Sequence, residues 1–190
     1  MIRSSARGES TRLERSLEIM DFSLMLVAAA AMGVIMLVVT LDATLRYTMS
    51  APLTWSYDLI GLYLMVAVFF LALPDTLHHH GHIAVDLFQR LIPFRARHFF
   101  LGIGYALSTW VVVLIAWGGI TRFHTAFVRG EHIAALIPWP TWIAYFLVAL
   151  GSAALVLRCL VRVYGHIASS ITGRELVDMP PPPEMGAEEI

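Results

Sequence analysis

Residues 42–86 read DATLRYTMSAPLTWSYDLIGLYLMVAVFFLALPDTLHHHGHIAVD. The stretch opens on a charged turn, passes through one apolar run, and ends in a His-rich turn that leads into an amphipathic segment. Each change of character marks where a bilayer-crossing element begins or ends. The apolar run, about residues 55–77, is long enough at about 1.5 Å per residue to cross a hydrocarbon core of roughly 30 Å. Pro74 falls near its end, where a helix can kink or stop at little cost.

Working outward, three further runs have the same character. Residues 22–41 carry no charge and lack the short apolar core followed by a cleavage site of a signal peptide, so they read as an uncleaved anchor. Residues 99–120 are also free of charge, and residues 139–157 begin after Pro138 and end at Arg158. Tyr47, Trp55, Tyr57, Trp117, Trp139 and Trp142 gather near span ends, where amphipathic rings favour the interface. The composition agrees: 58% of the 190 residues are hydrophobic and only 14% are charged, against about 25% in a soluble domain. The expected fold is an all-α membrane protein with four transmembrane helices and an interfacial amphipathic helix between the second and third.

That interfacial helix is residues 82–92. At 100° per residue Ile83, Ala84, Val85, Leu87, Phe88, Leu91 and Ile92 fill one arc, and His82, Asp86, Gln89 and Arg90 the other. The segment is too short to span, and its pattern suits a helix lying in the membrane surface, in contact with lipid, before Pro93 ends it. Orientation follows from arginine, because the chain has no lysine. Residues 1–21, the 78–98 connection and the C-terminal segment hold ten arginines, and the other two connections hold three (Arg46, Arg122, Arg129). Positive charge marks the cytoplasmic side, which places both termini inside. The domain plan is therefore a polar cytoplasmic segment over 1–21, a four-helix transmembrane domain over 22–162, and a cytoplasmic, largely disordered tail over 163–190, rich in proline at 180–183 and acidic at its end.

Several function classes are excluded or disfavoured. A net charge of −1 gives no footing for nucleic acid. The single cysteine, Cys159, rules out a disulfide framework, a CxxC redox pair and a Cys-based zinc site. Haem ligation would place axial histidines inside the spans, whereas all eight histidines, including His98, His124, His132 and His166, fall in connections or at span ends. A redox-complex anchor thus lacks its haem ligands. His78, His79, His80 and His82 have the right donors for zinc, copper or nickel and define the alternative of a metal-handling membrane protein. Adjacent helical side chains diverge, however, and His82 with Asp86 reads better as a polar stripe of the interfacial helix. No metal site, cofactor, catalytic set or substrate-binding residue is therefore assigned.

The spans hold no charge at mid-depth, whereas a transporter acting alone needs polar groups and broken helices there. Asp42 and Arg46 stand one helical turn apart just past the first span and are expected to pair. Asp58 follows Trp55 at the start of the second. Ala29 with Gly33, Gly102 with Ala106, and Ala149 with Ala153 offer small faces for close helix approach.

The order Asp42, Arg46-Tyr47, Trp55 with Asp58, then Gly81-His82-Ile83 and Val85-Asp86, resembles the small membrane subunit of tripartite ATP-independent periplasmic (TRAP) transporters, the DctQ-like family. Pro138-Trp139 at the start of the last span resembles it too, and the likeness covers roughly residues 20–162. Two departures are visible: Tyr57-Asp58 stands where the family often has a Glu pair, and a His run replaces a basic residue before Gly81. The resemblance implies a non-catalytic subunit in the bacterial inner membrane. It would pack on the immobile scaffold of a large permease subunit that moves organic acids with sodium, and a periplasmic solute-binding protein would deliver the solute. By position it puts Arg46, Tyr47, Trp55 and Asp58 on the periplasmic side, with His82 and Asp86 holding the interfacial helix on the cytoplasmic side.

Overall fold

The computed structural model describes residues 3–78, 94–135 and 137–172, with side chains over 14–77, 99–135 and 137–172. The elements in chain order are α1 (Arg3–Met49), α2 (Ser56–Leu59), a π-helical turn (Ile60–Leu64), α3 (Met65–His78), α4 (Phe94–Arg129) and α5 (Trp142–Thr172). Four stretches, Glu14–Met49, Ser56–Leu77, Phe99–Arg129 and Trp142–Thr172, are long and apolar enough to cross a membrane. The four-span, all-helical expectation holds. Residues 79–93, which include His79, His80, His82, Asp86 and the expected interfacial helix, lie outside the described residues, as does the 173–190 part of the tail.

Two helices run beyond the spans read from the sequence. No proline interrupts residues 3–49, and the polar N-terminal segment and the first span form one continuous helix. At the other end α5 runs to Thr172, ten residues into the segment expected to be tail. The reason is a polar inner face, since Arg158, His166 and Ser169 are all buried there while Leu157, Leu160, Tyr164, Ile167 and Ile171 point outward. The sequence shows charge and hydroxyls past residue 157 and reads as solvated. In the fold those groups face inward.

The helices pack in the order α1, α3, α5, α4, with α3 and α5 as the central pair. Lipid tails are as apolar as leucine, so helices associate in a bilayer through close packing and small residues rather than hydrophobic transfer. The buried set reflects this: Ala28 and Ala31 of α1 meet Ala67 and Leu71 of α3. Gly151 of α5 lies so close to α3 that a Cβ there would collide with the Phe70 carbonyl, whose carbon would be 2.6 Å away. Gly119 of α4 fits against Ala149, with a Cβ placed 3.2 Å from the Ala149 Cα. Two of the six residues of the expected small faces are packed. Ala149 and Gly102 are packed, whereas Ala29, Ala106 and Ala153 are exposed and Gly33 has nothing near it. The α1 seam uses Ala28 and Ala31, which are buried on the same side of the helix as Asp21 and Asp42.

The α4–α5 hairpin is antiparallel in a steady register. Gly102 lies beside His166 and Ile167, Tyr105 stacks on His166 at 5.2 Å, and Phe123 meets Trp142 and Phe146. Its turn is closed by Gly130 at φ +59°. The Glu131 N–H donates to the Ala126 carbonyl at 3.0 Å and the Gly130 N–H to Phe127 at 3.4 Å, the paired bonds of a Schellman cap.

Candidate functional site

The polar chemistry of the molecule sits at the two ends of the bundle. At the end holding the helix-to-helix turns, α1 stops where Ser50 takes a left-handed φ of 52°, and the chain returns through residues 51–55. Asp42 organises this return. Its Oδ2 accepts from Arg46 Nη2 at 2.6 Å, as the one-turn spacing predicts, and its Oδ1 accepts the Leu53 N–H at 2.6 Å. Arg46 Nη2 also donates to the Tyr57 hydroxyl at 2.9 Å, which draws α2 against the end of α1. Ser56 fastens the corner by donating its hydroxyl to the Leu53 carbonyl at 2.7 Å.

This cluster takes in some of the residues singled out in the sequence and leaves others aside. Asp42 and Arg46 belong to it. Trp55 is half-buried at the start of α2 and makes no side-chain capping bond. Tyr47 is 87% exposed and points away. Asp58 is half-buried, and its carboxylate has no hydrogen-bond or ion-pair partner among the described residues. Tyr57 was legible only as an interfacial aromatic, yet it is the residue that joins Asp42 and Arg46 to the next helix.

On the same end the π-helical turn presents Tyr63, whose hydroxyl donates to the Pro140 carbonyl at 2.7 Å. The Tyr63 ring meets the edge of Trp139 at 5.7 Å. A π turn adds a residue to one helical turn and re-aims the side chains that follow. Here it sends Tyr63 across to the α4–α5 connection. That connection is held further by the Thr141 N–H on the Glu131 carbonyl at 3.0 Å and the Ile133 N–H on Trp139 at 3.0 Å.

At the opposite end Arg158 Nε of α5 donates to Asp21 Oδ2 of α1. Both side chains are buried, at 8% and 1% exposure. Arg158 looks in sequence like a flanking arginine that faces the cytoplasm, and Asp21 like part of a polar leader. Their partnership crosses 137 residues, and no local pattern announces it. A lone buried carboxylate or guanidinium is strongly disfavoured, so each fixes the other.

Among the described residues no three His, Cys, Asp or Glu side chains converge to hold a metal ion. The backbone of His78 ends α3, and its side chain lies outside the described set with His79, His80 and His82. Cys159 is buried beside Leu77 and Leu155 as a packing residue. Among the described residues the buried Asp21–Arg158 pair ties α1 to α5, and buried Asp42 holds the turn that follows α1.

A protein-family model described as tripartite ATP-independent periplasmic transporters, DctQ component, matches residues 35–169. The matched region includes the Asp42 cluster, Tyr63, the α4–α5 hairpin and Arg158. No curated protein matches the chain.

Proposed function

The chain belongs to the DctQ component family of TRAP transporters, and from that premise we propose that it is the small, non-catalytic membrane subunit that packs on and extends the scaffold of a large permease subunit. The transport it serves is sodium-coupled import of organic acids such as dicarboxylates, with a periplasmic binding protein as the third component. The observation that carries this reading is how the described bundle uses its charges. Two ion pairs, Asp42–Arg46 and Asp21–Arg158, lie at opposite ends, and helices between them meet through alanine and glycine. Such a molecule offers a stiff support, and the solute path belongs to its partner.

In this arrangement the arginine distribution puts the Asp21–Arg158 end at the cytoplasm and the Asp42 cluster at the periplasm. Asp58, half-buried with no partner of its own among the described residues, is then available to the large subunit or the binding protein. Tyr47 and Trp55 flank it in sequence.

The test is a mild-detergent pull-down of the full chain from its native membrane. A stoichiometric multi-span partner larger than this subunit is the expected result. Recovery of the chain alone, active in transport after reconstitution, would overturn the proposal.

A further inference from the structure

By its place in the sequence Arg122 belongs to the connection after the third span, yet in the fold α4 continues past it to Arg129. Phe123 meets Trp142 at 6.3 Å and Phe146 at 5.7 Å, which sets Arg122 level with the first turns of α5. It stands about 10 Å short of the end of α4 at 1.5 Å per residue. Exposed apolar residues surround it, with Ile120 before it and Phe127 and Val128 after it along the helix. The Arg122 side chain is itself exposed and makes no hydrogen bond or ion pair among the described residues. Other arginines of the bundle have a partner or a local cause. Arg46 and Arg158 pair with aspartates, and Arg129 lies in the last turn of α4, where free carbonyls favour a cation.

Lipid tails satisfy an exposed apolar side chain at this level. They do not satisfy a guanidinium, whose charge and N–H donors hydrocarbon leaves unmet. The usual escape is to bend toward the headgroups at the nearer bilayer face. For Arg122 that escape runs against the helix. Every Cα–Cβ bond of a helix tilts toward its N-terminus, and the N-terminus of α4 is the far end, at Phe94. The side chain therefore starts out over the preceding turn, where Gly118 stands. A Cβ at Gly118 would find nothing within 4 Å, so the spot is open to close approach by another backbone. At 100° per residue Gly118, Arg122 and Thr125 share an arc of about 60°. Gly119 and Phe123, on the adjoining arc, are the residues turned to α5. The Thr125 hydroxyl donates to the Thr121 carbonyl at 2.9 Å, which leaves Arg122 as the unmet polar group of its face.

We propose that the α4 face formed by Gly118, Arg122 and Thr125 docks on a membrane helix of the large permease subunit, and that an Asp or Glu carboxylate on that helix pairs with Arg122. A carboxylate carried on a membrane helix stands at this depth beside the open turn, whereas a lipid phosphate stands at the bilayer face. Glycine at 118 lets the two backbones approach, and the ion pair fixes their register. The inference rests on the scaffold reading above and names the side of the molecule by which the scaffold is held.

The experiment is the mild-detergent pull-down from the native membrane, with the full chain replaced by its Arg122 variants. Arg122→Gln should lower recovery of the large subunit at least fivefold, and Arg122→Lys should restore most of it. The thermal unfolding midpoint of the purified small subunit should not move, because Arg122 bonds to nothing among the described residues. A photo-crosslinking amino acid at position 125 should capture the large subunit, and the same group at position 127, on the other side of α4, should not. The captured peptide should contain an acidic residue whose change to arginine restores recovery with Arg122→Glu. Full recovery with Arg122→Gln would overturn this inference and leave the scaffold reading standing. So would capture of phospholipid alone at position 125 while the parent chain still brings down the large subunit. A parent chain that recovers no larger subunit would remove the scaffold reading, and this docking face with it.

Discussion

Replacing Arg158 by methionine removes the cation from a pair whose side chains are 8% and 1% exposed, and leaves the Asp21 carboxylate buried against α5. Breaking a buried ion pair from one side costs about 3–5 kcal/mol, whereas exchanging both partners for apolar residues of similar volume is often neutral. The burial and the direct bond to Arg158 Nε put this pair in that class. A second guanidinium nitrogen, Nη2, is buried without a partner among the described residues, which argues for the lower part of the range. We expect Arg158→Met and Asp21→Leu each to lower unfolding free energy by about 3 kcal/mol, and the double variant to fall within about 1 kcal/mol of the parent. The coupling energy would then be about 5 kcal/mol, from two losses of 3 and a combined loss near 1. The assay is reversible unfolding in mixed micelles, followed by intrinsic fluorescence from the five tryptophans. Singles and double that add, each costing under about 0.5 kcal/mol, would refute the reasoning. They would mean that water reaches the pair and that α1 is held by its alanine seam and the Asp42 cluster.

Gly151→Ala should destabilise by about 1–3 kcal/mol in the same unfolding assay, because the atom a new methyl would strike is the Phe70 backbone carbonyl, which no rotamer change can move aside. Tyr63→Phe removes the bond to Pro140 and leaves the ring contact with Trp139; amide exchange in residues 130–141 should quicken by about fivefold, the equivalent of roughly 1 kcal/mol. Asp42→Ala strands the Leu53 N–H and Arg46 and should cost about 1–3 kcal/mol by chemical unfolding, with Asp42→Asn milder because it retains an acceptor for Leu53. Asp58→Ala should leave unfolding within about 0.5 kcal/mol of the parent while reducing recovery of the large subunit in a pull-down. Unchanged recovery and unchanged uptake would make Asp58 an ordinary helix-end residue.

The four spans were legible because a bilayer imposes one demand on every segment that crosses it, and apolar length meets that demand visibly. The Asp42–Arg46 pair was legible because its partners are one helical turn apart. Tyr57 and the Leu53 N–H joined them only through a reversal of the chain that sequence spacing does not encode. The Asp21–Arg158 pair was hidden for a stronger reason: each residue sits beside a span, where a charge has a sufficient local explanation as a flanking group. The helical run past residue 162 was masked in the same way, since His166 and Ser169 resemble solvated residues until α4 is packed over them. Ala28 and Ala31 stand among four consecutive alanines, and the sequence of that run does not say which of them faces α3.

The separation of Asp21 from Arg158 along the chain also bears on how the protein is made. A ribosome adding about 5–20 residues per second needs on the order of 10 s to traverse the 137 residues between them. During that interval α1 is already made, and its bond to α5 has still to form. The first two spans can pair through their alanines, but that hairpin stays provisional until the last helix arrives and Arg158 closes the lock. A chain that stalls or is cut before residue 158 would lack the guanidinium that joins α1 to α5.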